Sequence, residues 1–183
     1  MKRMFVVLGV IFAIIAITGL ALGETMVIWI GLGIVVVVGF FVAPLFKQAD
    51  AMLASGQIIK RDADFMKNSQ TFTISRVGMD ALINAIKDKG LPYDGLEWKT
   101  GDGVMTFKSR YWEAQMIKLD SDDSCDKWQF TFLSWEEGSY GSATGHTEMN
   151  AVMTAIEKAF IALDPNTKVQ TERIKVNTKS KFI

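Results

Sequence analysis

The sequence predicts a membrane-spanning α-helical hairpin followed by a small α+β domain. We expect this domain to be a two-layer sandwich, an antiparallel sheet with two helices on one face. Two apolar runs, Met4–Leu22 and Met26–Phe46, follow each other and contain no charged side chain. Each is long enough as a helix to cross a hydrocarbon core of about 30 Å. The rest of the chain changes between strand-like and helix-like periodicity and is long enough to bury a core of its own.

The distribution of basic residues predicts the orientation of the hairpin. Lys2 and Arg3 precede the first run and Lys47 follows the second, whereas the turn Gly23–Thr25 has neither Lys nor Arg. Positively charged flanks favour the cytoplasmic side. We therefore expect a two-pass membrane protein with both termini in the cytoplasm. The alternative is that Met1–Gly23 is a signal peptide, which would still leave the domain cytoplasmic.

Small residues recur at helical spacing within the two apolar runs. Small side chains let helix backbones approach closely in a membrane. They would pack the two helices of one chain together or, as an alternative, join several chains into an oligomer. The residues predicted to pack in this way are Gly9, Ala13, Ala16, Gly39 and Ala43.

Composition changes divide the chain into a hairpin at 1–46, a juxtamembrane connector at 47–70 and an α+β domain at 71–183. Apolar and charged residues are mixed in the connector. It is predicted to be either a short helix on the membrane surface or a linker whose apolar residues pack on the domain.

The elements of the domain are predicted in the order strand, helix, four strands, helix, strand. Alternation of apolar and polar residues indicates the strands, and apolar residues three or four apart indicate the helices. Gly101-Asp102-Gly103 is a hairpin signal, and Thr147 is a candidate N-cap. The predicted strands are Thr71–Arg76, Leu96–Lys99, Val104–Lys108, Arg110–Leu119, Lys127–Trp135 and Lys168–Val176, and the helices contain Met79–Ile86 and Met149–Leu163.

The composition excludes several classes of function. The chain has 20 basic and 20 acidic residues and no net charge, which argues against nonspecific binding to nucleic acid. Cys125 is the only cysteine, so an intramolecular disulfide is impossible. No metal site or cofactor is predicted, because the acidic segment Asp120–Asp126 lacks the glycine and glutamate positions of an EF-hand loop.

Catalytic residues are hard to assign. His146 is the only histidine, and no Ser or Cys lies in a recognisable nucleophile motif. The glycine-rich segment Gly138–Thr147 precedes a predicted helix and resembles a phosphate-binding loop only in composition, since it lacks the lysine. We interpret it as a loop, and the chain as not an enzyme.

Aromatic residues are concentrated on the predicted strands. They would form either the core or an exposed binding platform on the sheet, and the sequence leaves both open. The candidate ligand-binding residues are Trp98, Tyr111, Trp135, Tyr140 and His146.

Basic residues are concentrated near the C-terminus. Lys175, Lys179 and Lys181 are predicted to face an anionic membrane surface. The alternative is that the last strand is an edge strand whose lysines protect it from aggregation.

The predicted function is a membrane-anchored cytoplasmic interaction or scaffold module without enzymatic activity. Its partners would be the lipid bilayer and either a second copy or another membrane or cytoplasmic protein. The alternative is a membrane-tethered sensor whose domain binds a small molecule or nucleotide and acts on the hairpin. An exposed aromatic sheet face would favour the first hypothesis, and a closed cavity of ligand size near His146 would favour the second.

Overall fold

The computed structural model describes residues 2–23, 25–89, 91, 97–101, 103–119, 124–136 and 140–174. It divides into two compact units, Met1–Ser55 and Gly56–Ile183. The C-terminal lysines Lys175, Lys179 and Lys181 lie outside the described residues.

The first unit contains two helices, α1 (Lys2–Ala21) and α2 (Thr25–Ala54). They pack so closely that a Cβ atom at Gly31 would collide with the Ile15 side chain. At Gly9 a Cβ atom would meet nothing within 4 Å. Of the other predicted packing residues, Ala13 is exposed, Ala16 and Gly39 are half-buried, and the Ala43 side chain is not described.

The predicted membrane location is wrong. Among the described residues, no helix is both long and apolar enough to cross a membrane. The second apolar run does not end with a helix boundary at Phe46; α2 continues to Ala54 and includes Lys47 and Asp50. This finding contradicts the predicted transmembrane hairpin and its two-pass topology, from which the cytoplasmic location of both termini was inferred.

The second unit has the predicted α+β class. A 3-10 turn at Phe65–Lys67 leads into the sheet and helices. The elements are β1 (Asn68–Ser75), α3 (Met79–Asp88), β2 (Glu97–Gly101), β3 (Val104–Lys108), β4 (Trp112–Lys118), β5 (Cys125–Trp135), α4 (Tyr140–Leu163) and β6 (Lys168–Arg173). The six strands form one sheet in the order β2-β3-β4-β5-β1-β6, and every neighbouring pair is antiparallel. The predicted antiparallel sheet is therefore confirmed.

The core lies on one face of this sheet. Buried and half-buried residues alternate along β3, β4 and most of β5, as expected for a sheet with one covered face. Buried residues of α3 and α4 belong to the same apolar cluster as the strands. For example, the Phe72 ring of β1 stacks on the Phe160 ring of α4 with centroids 4.3 Å apart.

The strand aromatics whose side chains are described contribute mainly to this core. Trp112, Trp128, Phe130, Phe132 and Trp135 are each at most 4% exposed. The binding-platform interpretation therefore fails for these rings, because they lie on the covered face of the sheet or at its end.

The helix α4 begins earlier than predicted. Tyr140–Thr147, interpreted as a loop, forms its first turns, so Thr147 lies inside the helix and is not its N-cap. The glycine at Gly145 allows close packing, since a Cβ atom there would lie 3.0 Å from Cβ of Tyr111. Tertiary contact at this point stabilises a segment that has little apolar periodicity of its own.

Candidate functional site

A cavity of about 350 Å³ lies at one end of the sheet. The turn between β3 and β4 and the C-terminal end of β5 form its walls. Its lining residues are Lys108, Ser109, Arg110, Tyr111, Trp112, Glu113, Ser134, Trp135 and Glu136. This volume falls within the range of small-molecule sites.

Backbone hydrogen bonds fix the shape of the β3–β4 turn. The Ser109 N–H donates to the Trp112 carbonyl oxygen at 2.9 Å, and Lys108 lies opposite Glu113 in the sheet register. The short loop therefore places Arg110 and Tyr111 at its tip. The Arg110 guanidinium lies 5.5 Å from the centroid of the Tyr111 ring, a cation–π distance.

A β-bulge positions the opposite wall. Glu113 lies opposite Ser134, but Ala114 lies opposite Phe132, so Leu133 is an extra residue on β5. The bulge changes which face the following residues occupy. Trp135 is consequently buried and lies opposite Trp112 instead of pointing to the open face.

Glu148 of α4 connects the helix to this site. Its Oε2 atom accepts hydrogen bonds from the Ser109 hydroxyl at 2.7 Å and from the Trp112 indole N–H at 3.1 Å. A second link joins the two walls, because the Glu136 N–H donates to the Tyr111 carbonyl oxygen at 3.0 Å. These bonds join the walls of the cavity to each other and to α4.

The lining combines both signs of charge. Lys108 and Arg110 contribute cationic groups, and Glu113 and Glu136 contribute carboxylates. Ser134 and three aromatic residues, Tyr111, Trp112 and Trp135, are also part of the lining. Such a site can orient a small molecule by charge at two points while a ring covers its apolar part.

The structure brings together two of the five candidate ligand-binding residues, Tyr111 and Trp135. Trp98 lies on β2, opposite Phe107, and its side chain is not described. Tyr140 is the first residue of α4, and its side chain is not described either. The assignment of these residues to a ligand site stays a prediction.

His146, the remaining candidate, lies on α4 and does not line this cavity. Its Nε2 atom is 3.3 Å from the carbonyl oxygen of Ala63, and its ring packs edge-on against Phe65 with centroids 4.8 Å apart. These contacts support packing of the segment before β1 on the helix.

Sequence reasoning missed Arg110, Glu136 and Glu148. The Arg110-Tyr111 pair next to a short turn was the only available signal, since Arg and aromatic residues are common in binding sites. Glu136 and Glu148 could be predicted only from the tertiary structure, which shows that the end of β5 and the first turns of α4 lie next to the β3–β4 turn.

No metal centre is visible in the described part of the chain, where no group of three or more His, Cys, Asp or Glu side chains could hold an ion. Asp120–Asp123 of the acidic segment lies outside the described residues. Asp126 is not solvated: it is fully buried, accepts a hydrogen bond from the Val77 N–H at 3.1 Å and pairs with the Lys118 ammonium at 3.0 Å.

Comparisons with models of protein families, with curated proteins and with solved structures find no match.

Proposed function

We propose that the second unit is a non-catalytic domain that binds a small molecule with both an anionic and a cationic group. The observation that supports this most is the mixed charge of the residues that line the 350 Å³ cavity, which include Lys108, Arg110, Glu113 and Glu136. A ligand with only one charge would leave groups of its own sign without a partner.

Arg110 is the group best suited to bind the anionic end of the ligand. A guanidinium can donate two parallel hydrogen bonds to a carboxylate or phosphate. Glu113 and Glu136 would accept hydrogen bonds from an ammonium or guanidinium at the other end. The Tyr111 ring next to Arg110 would cover the carbon atoms between the two charges.

The side-chain contacts favour binding over catalysis. The Ser109 hydroxyl donates its hydrogen bond to Glu148, which also accepts from Trp112. His146 contacts Ala63 and Phe65 and does not line the cavity. A nucleophile with a positioned base, which acyl-transfer chemistry needs, is therefore not assembled at this site.

The interaction-module hypothesis gains no support from an exposed aromatic face, because the strand tryptophans and phenylalanines whose side chains are described are in the core. It stays a prediction, and its strongest remaining surface is a sheet edge.

The test is a binding screen of the full chain with free amino acids and other small zwitterions. Tryptophan fluorescence would detect binding through Trp112 and Trp135, and a rise in unfolding temperature would confirm it. We expect Arg110→Gln and Glu136→Gln each to weaken binding about tenfold or more, because a hydrogen bond to a charged group contributes about 1.5–3 kcal/mol.

Two variants at exposed positions outside the cavity provide controls. Lys99→Gln on β2 removes a positive charge and Asp88→Asn on α3 removes a negative charge, and we expect both to bind as the wild type does. The proposal would be overturned if none of the zwitterions bound, or if Arg110→Gln and Glu136→Gln left the binding affinity unchanged.

A further inference from the structure

We propose that two copies of this chain pair through the free edge of β6, antiparallel and centred on Gln170, to continue the sheet from one copy into the other. This inference is independent of the proposed ligand site. Among the described strands β6 has one neighbour, β1. All six of its residues, Lys168–Arg173, are exposed.

The hydrogen-bond phase of β6 determines which backbone groups face outward. The Ile174 N–H donates to the carbonyl oxygen of Lys67 at 3.0 Å. These two residues lie one step beyond the pair Arg173 and Asn68, the last pair in the register of β6 with β1. In an antiparallel ladder, residues that bond to one neighbour alternate with residues whose N–H and C=O groups point to the other side. Val169, Thr171 and Arg173 therefore direct their backbone groups away from β1.

Symmetry restricts how β6 can pair with its own copy. A twofold axis must relate each hydrogen-bonded residue pair to another hydrogen-bonded pair, and antiparallel ladders alternate bonded and non-bonded pairs. The axis therefore passes midway between a residue and its own copy, which lie directly opposite each other. Near the middle of the strand this residue is Val169, Gln170 or Thr171.

Charge complementarity selects Gln170 among the three. With Gln170 at the centre, Lys168 lies opposite Glu172 of the other copy, and symmetry creates this pair twice. With Thr171 at the centre, Val169 lies opposite Arg173. With Val169 at the centre, Lys168 lies opposite Gln170. Opposite charges directly across an antiparallel pair are stabilising and like charges are destabilising.

The backbone phase agrees with this register. Val169 and Thr171 would face each other as hydrogen-bonded pairs, using the groups that point outward. Lys168 and Glu172 would form the non-hydrogen-bonded pairs, in which side chains are closest, at a Cα separation of about 4.5 Å. Among the described residues, neither of them forms another ion pair.

The first experiment exchanges charges in the full chain. Lys168→Glu places two glutamates opposite each other, and Glu172→Lys places two lysines opposite each other. We expect each variant alone to associate about tenfold or more weakly than the wild type, because each symmetric dimer gains two repulsive pairs. In a mixture of the two, every Glu lies opposite a Lys, so a heterodimer should form. Differently tagged chains and sedimentation velocity would measure this.

The second experiment tests the register by disulfide formation in a Cys125→Ser background, with copper phenanthroline as oxidant. Gln170→Cys places two thiols opposite each other within disulfide distance, so a covalent dimer should form. Thr171→Cys is the matched control, because its copies would lie two residues apart along the ladder, too far to bridge.

A full chain that stays monomeric would overturn the proposal. So would charge variants that associate as strongly alone as the wild type does and show no preference for the mixture. Covalent dimers of Thr171→Cys, with none of Gln170→Cys, would overturn the proposed register.

Discussion

Arg61 connects the segment before β1 to the helix α4. Its Nη1 and Nη2 atoms donate to the two Glu157 carboxylate oxygens at 3.0 and 2.6 Å, and its Nε atom donates to Asn150 at 3.0 Å. The Gln70 side chain donates to the same carboxylate at 2.6 Å. The Arg61 and Glu157 side chains are 10% and 16% exposed, so this ion pair is largely removed from water.

We expect Arg61→Met to lower the free energy of unfolding by about 3 kcal/mol, because it leaves a partly buried carboxylate without its counter-charge. Urea unfolding followed by tryptophan fluorescence would measure the loss. Arg173→Met is the matched control: its ion pair with Asp64 is 68% and 53% exposed, and such pairs contribute about 0–1 kcal/mol. Equal losses in the two variants would contradict the structural role of Arg61.

Asp164 links the end of α4 to the end of β1. The Ser75 hydroxyl donates to its Oδ2 atom at 2.6 Å, and the Asn166 N–H donates to Oδ1 at 2.8 Å. These bonds, that from the Ser75 hydroxyl most of all, lower the pKa of Asp164 below its ordinary value of 3.8.

The lowered pKa of Asp164 predicts how the stability of the fold depends on pH. The stability that Asp164 contributes is fully present above pH 3.8, the ordinary value, and is lost as the pH falls through the lower pKa of the folded state. The difference in urea midpoint between wild type and Asp164→Asn should therefore be constant above this pH and shrink below it. Ser75→Ala should move the pKa of Asp164, measured by NMR titration, upward. An unchanged pKa would contradict the assigned cause.

At the scale of elements, the bulge in β5 determines which face its last residues occupy. Trp128, Phe130 and Phe132 alternate on the covered face, and without an extra residue Trp135 would point to the open face. Leu133 is the extra residue and is 37% exposed.

We expect deletion of Leu133 to lower the free energy of unfolding by about 3–5 kcal/mol, the range for losing a buried tryptophan. Acrylamide quenching should show one newly accessible tryptophan. Leu133→Ala keeps the chain length and therefore the bulge, so it should cost much less and leave quenching unchanged. A deletion as mild as the substitution would mean that the register adjusts elsewhere.

Local periodicity was sufficient to predict the kind and order of the elements in the α+β unit. It failed where tertiary contacts decide the structure. The first turns of α4 lack apolar periodicity and are stabilised by packing such as that of Gly145 against Tyr111. Similarly, β1 begins at Asn68 instead of the predicted Thr71, because the polar residues Ser69 and Gln70 pair with Thr131 and Phe130 of β5. Tyr111 and Trp135 of the cavity could be predicted, because aromatic residues are recognisable candidates for binding in a sequence. Glu148 could not be predicted, because only the folded chain brings it next to Ser109 and Trp112.

At the scale of the whole molecule, the boundary between the two units falls directly before the segment that contains Arg61. Phe65 and Met66 of this segment are 3% and 7% exposed and belong to the core cluster of the second unit. These two residues of the segment therefore pack in the core of the second unit. Where the domain is cut should consequently determine whether it folds.

We expect the fragment 56–183 to unfold cooperatively as an independent domain. The fragment 68–183 keeps all of β1 but loses Arg61, Phe65 and Met66, and we expect it to be less stable by at least about 3 kcal/mol. Burial of each large apolar side chain contributes about 1.5–3 kcal/mol, and Glu157 would also lose its counter-charge. Urea unfolding and the dispersion of amide resonances would compare the fragments. Equal stability would show that the segment only covers the core, whereas a disordered 56–183 would show that the core needs the first unit.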